Sequence, residues 1–155
     1  MQNPKIQAAF KKAFTLYEGK ETPHRSCGIC LAETFNLETK PYQSLRKGGI
    51  TGEGQCGAIK AGELVLGEIF GDPSPTGKVT QKLQKAILRF NELYKQELDF
   101  GNSESIICNS LTGQFAEFHS TERHSFCTNL ASGVAKIIAQ ILDEFGEDFE
   151  IKPIK

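Results

Sequence analysis

Apolar residues along this chain recur mainly at steps of three and four, the spacing of one helix face. Ile6, Phe10, Phe14 and Tyr17 form the first such stripe. An Asn3-Pro4 pair suits its start and Gly19 its stop. Ser26 is placed to cap a second helix carrying Cys27, Cys30, Leu31 and Thr34, bounded by Asn36 and Pro41. Gly48 to Gly57 holds five glycines in ten residues, which rules out a stable helix interior. It leads into a helix from about Cys56 to Phe70, apolar on most sides and therefore expected to be central. Gly71-Asp-Pro-Ser-Pro-Thr-Gly77 reads as a turn. Val79, Leu83, Ala86, Ile87, Phe90, Leu93, Tyr94 and Leu98 mark a fourth helix that Phe100-Gly101-Asn102 stops. A short helical piece carries Ile107, Cys108 and Leu111. The last helix starts near Ser120 or Thr121, with a stripe of Cys127, Leu130, Val134, Ile137, Ile138, Ile141, Leu142 and Phe145. Residues 147–155 predict a polar, frayed tail.

No long stretch alternates with period two, and no internal repeat of useful length is visible. The pattern predicts an all-α fold: one compact bundle of five or six helices over residues 1–155, with a Gly-rich loop before a central helix. The length of 155 residues suits one core and no more.

Charge narrows the function. Lys plus Arg is 18 and Asp plus Glu is 19, a formal charge of −1. Without a basic surplus to neutralise phosphates, a dedicated nucleic-acid binder is not expected. No apolar run approaches the roughly 18 residues of a membrane span, so none is expected. Met-Gln-Asn-Pro-Lys-Ile-Gln has no apolar export signal, which points to a cytoplasmic location.

The unusual count is five cysteines against one methionine and no tryptophan. Five is odd, and without a signal a structural disulfide framework is not expected. Redox chemistry, metal ligation and simple burial remain open. Gly52-Glu53-Gly54-Gln55-Cys56-Gly57 fits G-x-G-x-x-G, but no strand precedes it, so the dinucleotide reading fails. Gly71 to Val79 has the wrong spacing for a Walker A loop and lacks its hydroxyl residue. No G-x-S-x-G or Ser/His/Asp signature supports a hydrolase.

Cys56 at a helix start lies among unpaired N–H groups, which predicts a lowered thiol pKa. Cys27-Gly28-Ile29-Cys30 is a C-x-x-C pair, with His24 and Arg25 upstream as candidates for tuning it. Against that, Cys30 and Leu31 read equally well as core. His124 and Cys127, at i and i+3, share a helix face. Joined to Cys27 and Cys30 they would make a Cys₃His zinc set, although a capping or solvated histidine is the plainer reading.

Taken together, these stretches resemble the C_GCAxxG_C_C family of redox-active proteins and the related split-Soret cytochrome c sequences. The matching stretches are Ser26 to Ala32, Gly48 to Ala58, Glu63 to Gly67, Glu104 to Cys108, and Glu122 to Leu130 running on through Ile141. The resemblance spans residues 24 to 145. It carries the family's four cysteines onto Cys27, Cys56, Cys108 and Cys127. There are two departures. Ala61 stands at the last position of Cys-Gly-Ala-x-x-Gly, with Gly62 one residue later. Cys30 is an addition, and Leu31 after it excludes the C-x-x-C-H attachment of covalent haem.

The resemblance implies redox activity through clustered cysteines. One form is a thiol oxidoreductase: Cys56 as nucleophile, Cys27 or Cys30 as resolving thiol, and Cys108 with Cys127 as a second pair. The other is a metal-binding electron carrier or structural module. Its ligands would be Cys27, Cys56, Cys108 and Cys127 around an iron–sulfur cluster or zinc, with His124 a weaker candidate. Expected partners are a redox protein or a small thiol, and analogy with the cytochromes adds a homodimer.

Overall fold

The computed structural model describes residues 2–155. Its elements, in chain order, are α1 (Pro4–Glu18), α2 (Cys27–Thr34), a 3₁₀ turn (Lys40–Leu45), a four-residue helical turn α3 (Arg46–Gly49), α4 (Gly57–Phe70), α5 (Gln81–Glu97), α6 (Cys108–Thr112) and α7 (Thr121–Glu144). The fold is all-α, with no strand among the described residues. The expected six helices are present. The addition is α3, a distorted turn whose middle residues, Lys47 and Gly48, are left-handed.

Local chemistry sets the boundaries. Asn3 Oδ1 accepts from the Lys5 N–H at 2.9 Å, Pro4 opens α1, and Gly19 ends it at φ 76°. Thr80 caps α5 through the Leu83 N–H, and Ser120 caps α7 through the Arg123 N–H. Ser26 occupies the cap position of α2, but its side chain makes no capping bond.

The core is built where α7 packs against α1, α2, α4 and α5. Leu130, Val134, Ile137, Ile138, Ile141 and Leu142 of α7 are buried there. Each contributes about 1.5–3 kcal/mol relative to exposure. α7 is also long and apolar enough to cross a membrane by length and composition, which runs of consecutive apolar residues do not reveal. Most of its apolar window, 61%, is buried against the other helices, as a core helix requires. In α4, Gly62 leaves room for the Phe90 and Val134 side chains, so α5 and α7 approach closely.

The tail is docked rather than frayed. Phe149, Ile151 and Ile154 pack against the core. Lys5 Nζ donates to the Phe149 carbonyl at 2.6 Å, and Asn36 Nδ2 to the Glu150 carbonyl at 2.8 Å. The apolar residues hidden among the tail's charges outweigh its polar composition.

Candidate functional site

Four of the five cysteines meet at one cavity of about 450 Å³. Cys27 is the first residue of α2, Cys56 the cap residue of α4, Cys108 the first residue of α6, and Cys127 lies on the second turn of α7. All are free thiols; Cys56 and Cys108 are buried, and Cys27 and Cys127 half-buried.

The Gly-rich loop does the positioning. The Cys108 N–H donates to the Gly54 carbonyl at 2.8 Å and the Asn109 N–H to the Gly52 carbonyl at 2.8 Å. The Cys56 N–H donates to the Ile106 carbonyl at 2.7 Å. These bonds lock the Cys56 and Cys108 segments together across the gap between α4 and α6. The loop comes too close for side chains: a Cβ on Gly48, itself at φ 59°, would collide with Cys108 Cβ. A Cβ on Gly57 would stand 2.5 Å from Cys27 Sγ, so this glycine lets α2 and α4 bring their thiols together.

Cys30 is not part of this cluster. It is 0% exposed in the core, away from the cavity wall, and its Sγ–H donates to the Cys27 carbonyl at 3.3 Å. The C-x-x-C reading therefore gives way to the core reading: α2 carries Cys27 to the cavity and Cys30 to the interior.

Burial dominates the acid–base behaviour of the thiols. The Ala58 and Ile59 N–H groups favour a Cys56 thiolate, as a helix start predicts, yet burial pushes this thiol up to about 11. Cys27 is raised by burial and then by the neighbouring Cys56 and Cys127, and Cys108 by burial and then Cys127. The expected low-pKa thiolate at Cys56 is thus corrected: the helix field acts on it, and desolvation outweighs the field.

The rest of the wall combines Leu111, Thr112 and Leu130 with cationic and aromatic side chains. Tyr17, His24, Arg46, Lys47, Phe118, His119, Arg123 and His124 line it, and no Asp or Glu does. Ser26 lines it too, with its Oγ buried and unpartnered. Arg25 points elsewhere; its guanidinium pairs with Glu33 at 3.0 Å. His124 faces the cavity, but its Nε2 lies 3.0 Å from the Glu18 carbonyl. A carbonyl only accepts, so that nitrogen carries the proton and is not free to ligate through it. His24 Nδ1 is bonded in the same way to the Tyr17 carbonyl, and burial holds this imidazole below its ordinary value. Sequence reading missed Arg123 and Tyr17. The available signal was Arg123 four residues before Cys127, on one face of α7.

Four cysteines from separate segments, one of them opening an apolar helix after a glycine-rich loop, form a pattern that a family comparison recognises. The C_GCAxxG_C_C family, described as "Putative redox-active protein", matches residues 25–141. The chain belongs to the C_GCAxxG_C_C family. No curated protein and no solved structure matches it. The four cysteines that this C_GCAxxG_C_C protein turns towards its cavity are those onto which the sequence resemblance carries the family's cysteines, and Cys30 is the one outside that set.

Four cysteine sulfurs are, by their chemistry, a ligand set that a thiolate-held metal centre would use. Among the described residues, no three His, Cys, Asp or Glu side chains are close enough together to hold one metal ion. The four thiols instead surround a cavity much larger than an ion. The four thiols thus offer sulfur ligands around a shared space rather than a preformed single-ion site.

Proposed function

We propose that the protein is an electron carrier whose redox group is an iron–sulfur cluster held by Cys27, Cys56, Cys108 and Cys127. The observation that carries this reading is the convergence of four free thiols, from four separate segments, on one cavity. When bound, the cluster supplies reversible one-electron chemistry. The chain's own part is ligation, shielding and charge compensation. Four clustered thiols repel one another once ionised, and a bound metal replaces their protons and offsets that repulsion. The loop from Gly48 to Gly57 fixes two ligands before the metal arrives, which lowers the ordering cost of binding.

Anaerobic reconstitution with ferrous iron and sulfide tests the proposal. The expected result is stoichiometric iron and sulfide, visible charge-transfer absorption, and loss of both in single Cys→Ser variants at the four positions. A colourless, iron-free product would overturn it.

A second reading rests on the closeness of Cys27 and Cys56 at the starts of α2 and α4, where a Cβ on Gly57, the residue after Cys56, would stand 2.5 Å from Cys27 Sγ. In that reading the two thiols form a reversible disulfide, releasing two protons and two electrons to an acceptor disulfide. Mass spectrometry of the iron-free protein after oxidation would show a Cys27–Cys56 cross-link.

A further inference from the structure

Arg123 is a cation with no anionic side chain to balance it. It is 7% exposed. Its Nη1 donates to Tyr17 Oη at 3.0 Å and its Nε to the Phe118 carbonyl, and its guanidinium carbon lies 4.2 Å from the Phe118 ring centroid. None of the ion pairs among the described residues includes it. A buried charge is costly unless paired. The helix repeat sets Arg123 over Cys127, four residues on, and both line the cavity. Ser26 is a second unsatisfied polar group lining the same cavity. It stands at the cap position of α2, makes no cap, and leaves its hydroxyl buried without a partner on the same wall. Thus one cavity holds a buried cation without an ion pair, Arg123, beside the exposed Arg46 and Lys47, together with an unused hydroxyl and no carboxylate.

We infer that Arg123 and Ser26 are the built-in counter-charge and hydrogen-bond donor of an anionic thiolate centre in this cavity, and that they raise its reduction potential. The inference rests on the proposed cluster and deepens it. One-electron reduction adds one negative charge to the centre. A fixed cation and a free donor on the wall of the cavity stabilise the reduced form more than the oxidised form, so the potential rises. Arg123 and Ser26 are positioning residues here, since the sulfurs bind the metal.

The test is a dithionite titration of the reconstituted protein, followed by its visible spectrum, for wild type, Arg123→Gln, Arg123→Lys and Ser26→Ala. Arg123→Gln is expected to shift the oxidised-to-reduced ratio at fixed potential at least tenfold towards oxidised, about 59 mV for one electron. Arg123→Lys keeps the charge and should fall between Gln and wild type. Ser26→Ala, the smallest change, should shift the same way by less, and it decides the matter if Arg123→Gln does not fold. Potentials equal to wild type in Arg123→Gln and Ser26→Ala would overturn the inference and leave the cluster intact. If wild type forms no cluster, the proposed function fails, and the counter-charge is read instead from Cys127. Its iodoacetamide alkylation at fixed pH, followed on the Cys127 peptide, should slow at least tenfold in Arg123→Gln, and an unchanged rate would overturn the inference.

Discussion

His124 Nε2 sits 3.0 Å from the Glu18 carbonyl oxygen and closes the C-terminal end of α1. Every carbonyl of that last turn is taken by a donor from beyond the helix. Thr15 accepts from the Gly19 N–H, Leu16 from the Arg25 N–H at 2.8 Å, Tyr17 from His24 Nδ1, and Glu18 from His124. The two imidazoles that sit beside the thiols are therefore helix-end caps, and they tie α1 to α7 and to the start of α2.

His124→Ala should accordingly cost about 1 kcal/mol of stability, the net worth of one hydrogen bond, seen as a lower urea midpoint. Iron content after reconstitution should equal that of wild type. Loss of iron with stability unchanged would return His124 to the metal site.

Cys30→Ala separates the fifth cysteine from the other four. Its sulfur fills core space, so its loss should destabilise the fold by about 1–2 kcal/mol through a small cavity. The midpoint potential and the iron-to-protein ratio should not move. A shifted potential would place Cys30 in the redox group after all.

The helices were legible because their apolar stripes and caps are local signals. Asn3-Pro4, Thr80 and Ser120 each stand where the chain begins a helix. The four family cysteines were legible as a set for a different reason, the match to a family pattern. What the sequence did not disclose is non-local. The bonds of Cys108 and Asn109 to Gly54 and Gly52 join segments more than fifty residues apart. Whether Cys30 turns inward depends on which face of α2 meets the core. The net effect on Cys56 depends on burial, which the helix start alone does not report. The docking of the tail rests on Phe149, Ile151 and Ile154, three apolar residues whose period is too short to read.

Ile50 carries strain that the fold does not need. It holds φ 76° and ψ −38°, a positive-φ conformation that costs a β-branched residue about 1–3 kcal/mol, and its side chain is 60% exposed. Ile50→Gly should remove the strain and lose little burial. The added freedom of the unfolded glycine offsets about 0.5–1 kcal/mol of the gain. A net rise in thermal midpoint is expected. A fall would mean that the Ile50 side chain secures the loop.

Arg89 provides one pH-dependent part of the stability. Its guanidinium forks onto Glu144, Nε to Oε2 at 3.0 Å and Nη2 to Oε1 at 2.9 Å, and joins α5 to the end of α7. Those bonds hold the Glu144 carboxyl below its ordinary value of 4.5. The folded state thus binds the proton less readily than the unfolded chain. The stabilisation is complete above the ordinary carboxylate value and disappears as pH falls through the lowered one. Arg89→Gln should therefore lower the urea midpoint at pH 7, by a modest amount because both partners are partly exposed. The gap between variant and wild type should narrow below about pH 4.5 and close at lower pH; it should also shrink in about 1 M salt, where screening is strong. A gap that persists unchanged in acid would show that Arg89 acts through packing of its stem on α5 rather than through its charge.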